Sequence, residues 1–231
     1  MALITPGPLA GQISGRLAST IFSHNKGGPY VRNGTIPTTS TTEYALAAKA
    51  ALQAASATWQ GFTAAQRLAW SSFALENPVT NRLGKSITLS GIAAHNGLFC
   101  RLTAAGLAPI AAPPIDPAPS PLLTLVQTCD RGLTTFDLVY TATPLAATHY
   151  LWIQACVNSS PAVNYVENRL RLIGISAAAQ ASPFDHEALL TARLGAQVDD
   201  QSVTVLVSVL DSATGLLSTP LRDTALVATT A

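Results

Sequence analysis

Charge is what this chain has least of. Only 11% of its 231 residues are Asp, Glu, Lys or Arg, against about 25% in an ordinary soluble domain. A surface made largely of Ala, Thr, Ser, Leu and Pro solvates weakly and tolerates burial against a neighbour. That composition points to a subunit of an assembly more than to a freely diffusing enzyme. Long apolar runs are missing too. A membrane span needs about 20 mostly apolar residues, and every apolar run here is shorter or interrupted, so no transmembrane helix and no membrane partner are expected. Met1 to Pro6 carries neither a charged leading region nor a sustained apolar stretch, which predicts synthesis in the cytoplasm without a secretory leader. Cysteine is scarce: Cys100, Cys129 and Cys156 form an odd set with no CxxC spacing. They read as small buried hydrophobes.

The arrangements that usually carry catalysis are also absent. None of His24, His95, His149 and His186 has metal-ligand spacing to another His or to a Cys. No G-x-S-x-G nucleophile turn occurs. Lys26-Gly27-Gly28 lacks the Lys-Ser/Thr that follows the glycines of a phosphate-binding loop, and it reads as a turn. Asp185-His186-Glu187 is the most polar cluster. It reads as the exposed first turn of a short helix, where acidic side chains favour the helix dipole. His95 lies on an apolar stripe and reads as a hydrogen-bonded core residue. The expectation is a protein that is not an enzyme, with no catalytic residue, metal site or cofactor.

What charge there is lies unevenly. Residues 1–106 carry eight basic and two acidic residues, a net of +6, whereas residues 107–231 carry five basic and ten acidic, a net of −5. Halves of opposite sign attract when copies pack head to tail; equally, two modules can simply differ in composition. Residues 1–42 contain no acidic residue and read as an extended arm. Ile21-Phe22 and Tyr30-Val31 suggest short strands about a turn at Asn25 to Gly28. The arm is too polar and Gly-rich to bury itself, so it is expected to lie on another surface.

Helical signals fill residues 43–106. Ser40-Thr41-Thr42-Glu43 and Thr63-Ala64-Ala65-Gln66 are capping boxes. The first opens a helix with Ala48, Leu52, Ala55 and Trp59 on one face. The second opens a helix through Trp70 and Phe73 that pairs with the first as a compact hairpin. A third helix fits Gly91 to Ala105, with Ser90 as N-cap and Gly106 just past its end. Residues 107–121 are proline-rich and favour extended polyproline II, marking a linker. From residue 122 to 231 the apolar period becomes two, with strands expected at Leu122–Thr128, Leu133–Tyr140, His149–Val157, Arg169–Ile175, Val203–Leu210 and Thr224–Ala228. Turn signals such as Asp130-Arg131-Gly132 separate them, and a short helix fits Asp185 to Leu194. This spacing predicts an immunoglobulin- or fibronectin-like β-sandwich with Trp152 filling the space between sheets. The fold class expected is therefore α+β and multidomain: arm, small helical domain, linker and β-sandwich.

The pattern Gly11-x-x-Ser14-Gly15, Val31-Arg32, Pro37, Trp59, Thr63-x-x-Gln66-Arg67-x-x-Trp70, Ala74, Gly91 and Asn96 resembles uncharacterised bacterial proteins of phage or prophage type. In these a small helical domain precedes a Pro-rich linker and an immunoglobulin-like domain. The resemblance spans roughly residues 10–115. It implies a virion-associated role and no activity. The function expected is thus a structural component of a phage-like virion, a capsid, decoration or tail protein, located in the virion and partnered by copies of itself and other virion proteins. Arg16, Phe22, Lys26, Tyr30 and Arg32 are the expected inter-subunit contacts. Basic residues interleaved with aromatics also suit a nucleic-acid arm, but three charges attract phosphate only weakly. The alternative function is a surface-recognition module whose sandwich loops bind carbohydrate or protein.

Overall fold

A computed structural model describes residues 2–3, 13–34, 42–81, 84–131, 135–141, 145–160, 162–163 and 165–228. Among these residues four helices and several antiparallel sheets make a mixed α+β fold. None of the helices is long and apolar enough to cross a membrane. The chain divides into two compact units, Met1–Pro113 and Pro114–Ala231, so the division falls inside the proline-rich stretch.

The first unit opens with strands β1 (Ala2–Leu3), β2 (Gly15–Leu17), β3 (Thr20–Asn25) and β4 (Gly28–Asn33), arranged β1-β4-β3-β2. The hairpin between β3 and β4 turns at Lys26-Gly27, as expected from sequence. Asn25 Oδ1 accepts the Gly27 N–H at 2.9 Å, and Gly28 takes φ +109°, a conformation that disfavours side chains. The short strands expected at Ile21-Phe22 and Tyr30-Val31 are thus β3 and β4, while residues 1, 4–12 and 35–41 of the expected arm lie outside the described residues. Backbone pairing between successive strands satisfies the polar main chain without requiring a large core. The turn is also held by its own chain. Asn81 Nδ2 donates to the Gly27 carbonyl at 2.9 Å, next to the small hairpin β5 (Val79–Thr80) and β6 (Ser86–Ile87).

Three helices complete this unit: α1 (Glu43–Gly61), α2 (Ala64–Glu76) and α3 (Gly91–Ala104). Ser40 and Thr41 of the first expected capping box lie outside the described residues; α1 starts after Thr42, with Glu43 in its first turn. The box at Thr63 forms in full. Its hydroxyl accepts the Gln66 N–H at 3.3 Å, while Gln66 Oε1 accepts the Thr63 N–H at 2.9 Å. Ser90 caps α3 through the Ala93 N–H. At the far end of α3 the Leu107 N–H reaches the Leu102 carbonyl and the Gly106 N–H reaches Thr103, with Gly106 at φ +69°. This is a Schellman closure.

The helices pack differently from the expected hairpin. Both α1 and α2 lie against α3, which supplies the buried Ala94, His95, Leu98, Phe99 and Leu102. The first helix buries Ala51 and Ala55, while Leu52, expected on that face, is 51% exposed. Alanine at the contact lets α1 approach α3 closely and leaves the larger Leu52 at the rim. Gly91 does the same between α2 and α3: a Cβ there would stand 2.8 Å from Ser71 Oγ and 2.9 Å from its backbone nitrogen. The fully buried Trp70 donates its indole N–H to the Ala111 carbonyl at 3.2 Å, so the start of the proline-rich stretch returns to the helices.

The second unit contains β7 (Thr124–Asp130), β8 (Thr135–Thr141), β9 (His149–Asn158), β10 (Arg171–Ile175), β11 (Phe184–Asp185), helix α4 (Glu187–Leu194), β12 (Ser202–Asp211) and β13 (Leu221–Leu226). One sheet runs β10-β9-β12-β13 and the other β11-β8-β7. Each expected strand has a counterpart within a few residues, although Gly132 of the expected turn lies outside the described residues; β11 was not expected. Both sheets feed a single core. Phe136, Leu138 and Tyr140 come from β8, Leu151, Ile153 and Ala155 from β9, and Val203, Val205, Val207 and Val209 from β12.

Trp152 is not part of that core. It is half-buried on the opposite face of β9 from Leu151 and Ile153, which corrects its expected place between sheets. The strand is apolar on both faces, so its sequence admits two orientations. The register decides: Leu151 and Ile153 lie opposite Val209 and Val207, and Trp152 opposite Ser208. The branched side chains interlock on the inner face.

Candidate functional site

The expected contact residues sit on the N-terminal sheet, whose register sorts them onto two faces. Arg16 and Arg32 are both opposite Ile21, and Tyr30 is opposite Ser23. Directly paired and alternate residues share a face, so Arg16, Ile21, Arg32, Ser23 and Tyr30 lie on one side. Phe22, opposite Gly15 and Val31, faces the other way, and Lys26 occupies the turn. Thus three of the five residues are brought together. Both arginines are exposed, and Phe22 and Tyr30 are half-buried. Arg16 is steadied by donating Nε–H to the Ala18 carbonyl at 2.8 Å. Strand β2 is the sheet edge and is exposed along its length, with Leu17 72% exposed.

The two buried histidines occupy different settings. His95 is fully buried among Trp59, Phe62, Trp70 and Phe99, with ring centroids 5.0–5.7 Å from its own. Its Nδ1 lies 3.1 Å from Asn96 Oδ1, while its Nε2 has no partner. The expectation of a hydrogen-bonded core histidine is met at one nitrogen only. His186 corrects its expected exposure. It is fully buried, with Nε2 3.0 Å from Gln127 Nε2, and Gln127 also reaches Cys129 Sγ at 3.1 Å. The sequence signal was misleading here because its neighbours Asp185 and Glu187 do face outward or partly so, and the histidine between them is turned inward where β11 meets β8.

The electrostatics of this second cluster oppose acid–base or nucleophilic work near neutral pH. Burial pushes His186 down to about 4, against the weaker upward pull of the Phe136 carbonyl and the Asp185 carboxylate. Burial pushes the Cys129 thiol up to about 12, opposed by its Gln127 contact and aided by the Asp223 carboxylate. With its thiol held protonated near neutral pH, Cys129 lacks the thiolate that makes cysteine a nucleophile. Among the described residues no group of three or more His, Cys, Asp and Glu is placed to hold a metal.

The surface feature that sequence reasoning missed lies on the helices. Leu68 and Leu75, seven residues and about two turns apart on α2, are 68% and 69% exposed, on the side away from the buried Trp70 and Ala74. On α1, Leu46 is 51% exposed on the side away from Ala51 and Ala55. The heptad spacing of Leu68 and Leu75 was a readable signal, since it places a second apolar stripe on a helix whose inner face is already supplied by Trp70. Compared with models of protein families, with curated proteins and with solved structures, the chain matches none.

Proposed function

We propose that this chain is a non-enzymatic structural subunit of a phage-like particle, a capsid, decoration or tail component, that works by contacts with copies of itself and with other particle proteins. The observation that carries the assembly reading is the outward apolar stripe of Leu68 and Leu75 on α2, with Leu46 exposed separately on α1. Exposed leucines at helical spacing gain free energy only when another surface removes them from water, at about 25 cal/mol per Å² of apolar area. The Arg16–Ile21–Arg32 face supplies a second contact, of positive sign, toward acidic groups of a neighbour. The particle assignment rests on the resemblance of residues 10–115 to phage-type proteins.

The strand order of the second unit supports an immunoglobulin-like reading within this proposal. Lettering β7 to β13 as A, B, C, C′, E, F and G gives one sheet A-B-E and another C′-C-F-G, a distribution that fits the immunoglobulin and fibronectin sandwich family. Such a unit would be a rigid body carried by the assembling helices.

The test is light scattering and negative-stain microscopy of the purified chain at increasing concentration, beside the double variant Leu68→Lys, Leu75→Lys and a chain lacking residues 1–32. Concentration-dependent oligomers or particles are expected from the parent, weaker association from the lysine variant and loss of ordered particles from the truncated chain. A parent that stays monomeric throughout overturns the reading.

A further inference from the structure

Strand β9 continues beyond the reach of β10. The pairing with β10 ends at Arg171 opposite Ala155, whereas β9 runs on to Asn158, still paired with β12 through Ser202. The edge of β9 at Cys156 and Val157 is therefore left uncovered by its neighbour. A recess of about 310 Å³ opens there, lined by Cys156, Val157, Arg169, Arg171 and Leu194. Its volume lies at the small end of ligand-binding pockets, which run from about 300 Å³.

Two arginines, Arg169 and Arg171, line this recess in a unit whose net charge is negative. Arg169 is held by the buried Asn158, whose Oδ1 accepts from Nη1 at 2.6 Å. Arg171 donates to the carbonyls of Asn168 and Leu170 at 2.9 and 3.0 Å. Among the described residues neither guanidinium is paired with a carboxylate, and Glu167, two residues before Arg169, forms no ion pair with it. Each is thus oriented by a neutral acceptor while its charge stays unmatched. Positive charge also reaches the recess wall. Burial pushes the Cys156 thiol up, while its Asn158 contact and then Arg169 and Arg222 oppose that. Val157 and Leu194 supply apolar surface in the lining that also holds the two arginines.

We propose that this recess binds a small organic oxyanion, a carboxylate or phosphate group on a compact apolar body. The two arginines would hold the oxygens by charge-assisted hydrogen bonds, and Val157 and Leu194 would cover the carbon chain. Binding here is independent of the assembly reading, because the recess lies within the second unit and uses none of the helical leucines.

The test is protein-observed NMR of the full chain titrated separately with butyrate and with inorganic phosphate, at constant ionic strength with chloride as the balancing anion. Saturable shifts centred on Cys156, Val157, Arg171 and Leu194 are expected from at least one probe. Saturation by butyrate but not phosphate assigns the site to carboxylates, and the reverse to phosphates. Arg171→Gln should weaken binding by about tenfold or more, the loss of one charge-assisted bidentate contact. Arg169→Gln should do the same, but it releases the buried Asn158 and can disturb folding. Arg171→Gln, whose partners are nearby backbone carbonyls, therefore decides the matter. Linear, non-saturating shifts with both probes, or affinity unchanged in Arg171→Gln, overturn the proposal.

Discussion

Leu138, Leu151, Leu190 and Val203 of the second unit are fully buried, whereas Leu46, Leu68 and Leu75 of the first are half exposed or more. The strands place β-branched and leucine side chains on inner faces that meet one another, and the core draws on β8, β9, β12 and α4 together. The helices share a narrower core. Alanines and Gly91 let α1 and α2 approach α3, and aromatic rings around His95 fill the space that remains. A three-helix arrangement centred on one helix leaves the outer sides of the other two uncovered. Both units also expose apolar side chains: Leu123 is 77% and Val126 54% exposed in the second, against 68% and 69% for Leu68 and Leu75 in the first. What sets the helices apart is spacing: Leu68 and Leu75 recur seven residues apart along one side of α2, and the proposed assembly contact is placed there for that reason.

The largest effect that could break this comparison is expected inside the helical core. Trp70→Ala removes a fully buried indole and its bond to Ala111, and should cost about 3–5 kcal/mol. Thermal unfolding followed by far-UV circular dichroism would register it; an unchanged midpoint would mean that the helices do not depend on this core.

The strand unit should reveal itself through pH. His186 falls from its ordinary value of 6.5 to about 4 on folding. Below pH 6.5 the unfolded chain takes up a proton that the folded chain refuses. Stability from this group is therefore full above pH 6.5, declines as pH falls toward 4 and levels off below that. The whole decline amounts to about 3 kcal/mol. Urea titrations at pH 7.5 and 4.5 should show a smaller difference for His186→Asn than for the parent, once carboxylate effects common to both cancel. Equal differences in the two proteins would place His186 in water rather than in the core.

Gly91→Ala should have an intermediate effect. Its Cβ would meet Ser71 side-chain and backbone atoms at under 3.0 Å, forcing α2 from α3 at a cost of about 1–3 kcal/mol. Denaturant unfolding would show a lower midpoint with an unchanged slope. The smallest change in stability belongs to the exposed leucines: Leu68→Lys with Leu75→Lys should shift stability within about 0.5 kcal/mol while weakening self-association. A large loss of monomer stability would reveal that the stripe is core after all.

Much of the local structure was readable before any fold was considered. Thr63 and Gln66 lie three residues apart and cap each other, Ser90 caps α3, and Gly106 ends it at φ +69°, a conformation that favours glycine over other residues. Period-two patterning located six strands and the proline run located the division between units. The candidate contact residues were legible as types, since Arg16, Tyr30 and Arg32 were singled out together, but not as a face. Their grouping depends on Arg16 and Arg32 lying opposite the same Ile21. Trp152 and His186 were misplaced for the same reason: each sits in a segment that could turn either way.

By itself, then, the sequence determined the main helices and strands to within a few residues, because caps, turns and alternation act between residues a few positions apart, but not the short strands β1, β2, β5, β6 and β11. Tertiary structure decided which side of several elements went inward where the sequence pattern left two choices. Val207 and Val209 opposite β9 fixed the inward side of that strand, Asn81 fastened the leading hairpin to its own unit, and α3 took the inner faces of α1 and α2. Those choices are made by partners distant in the chain, and the burial they confer is a property of the pair rather than of either segment.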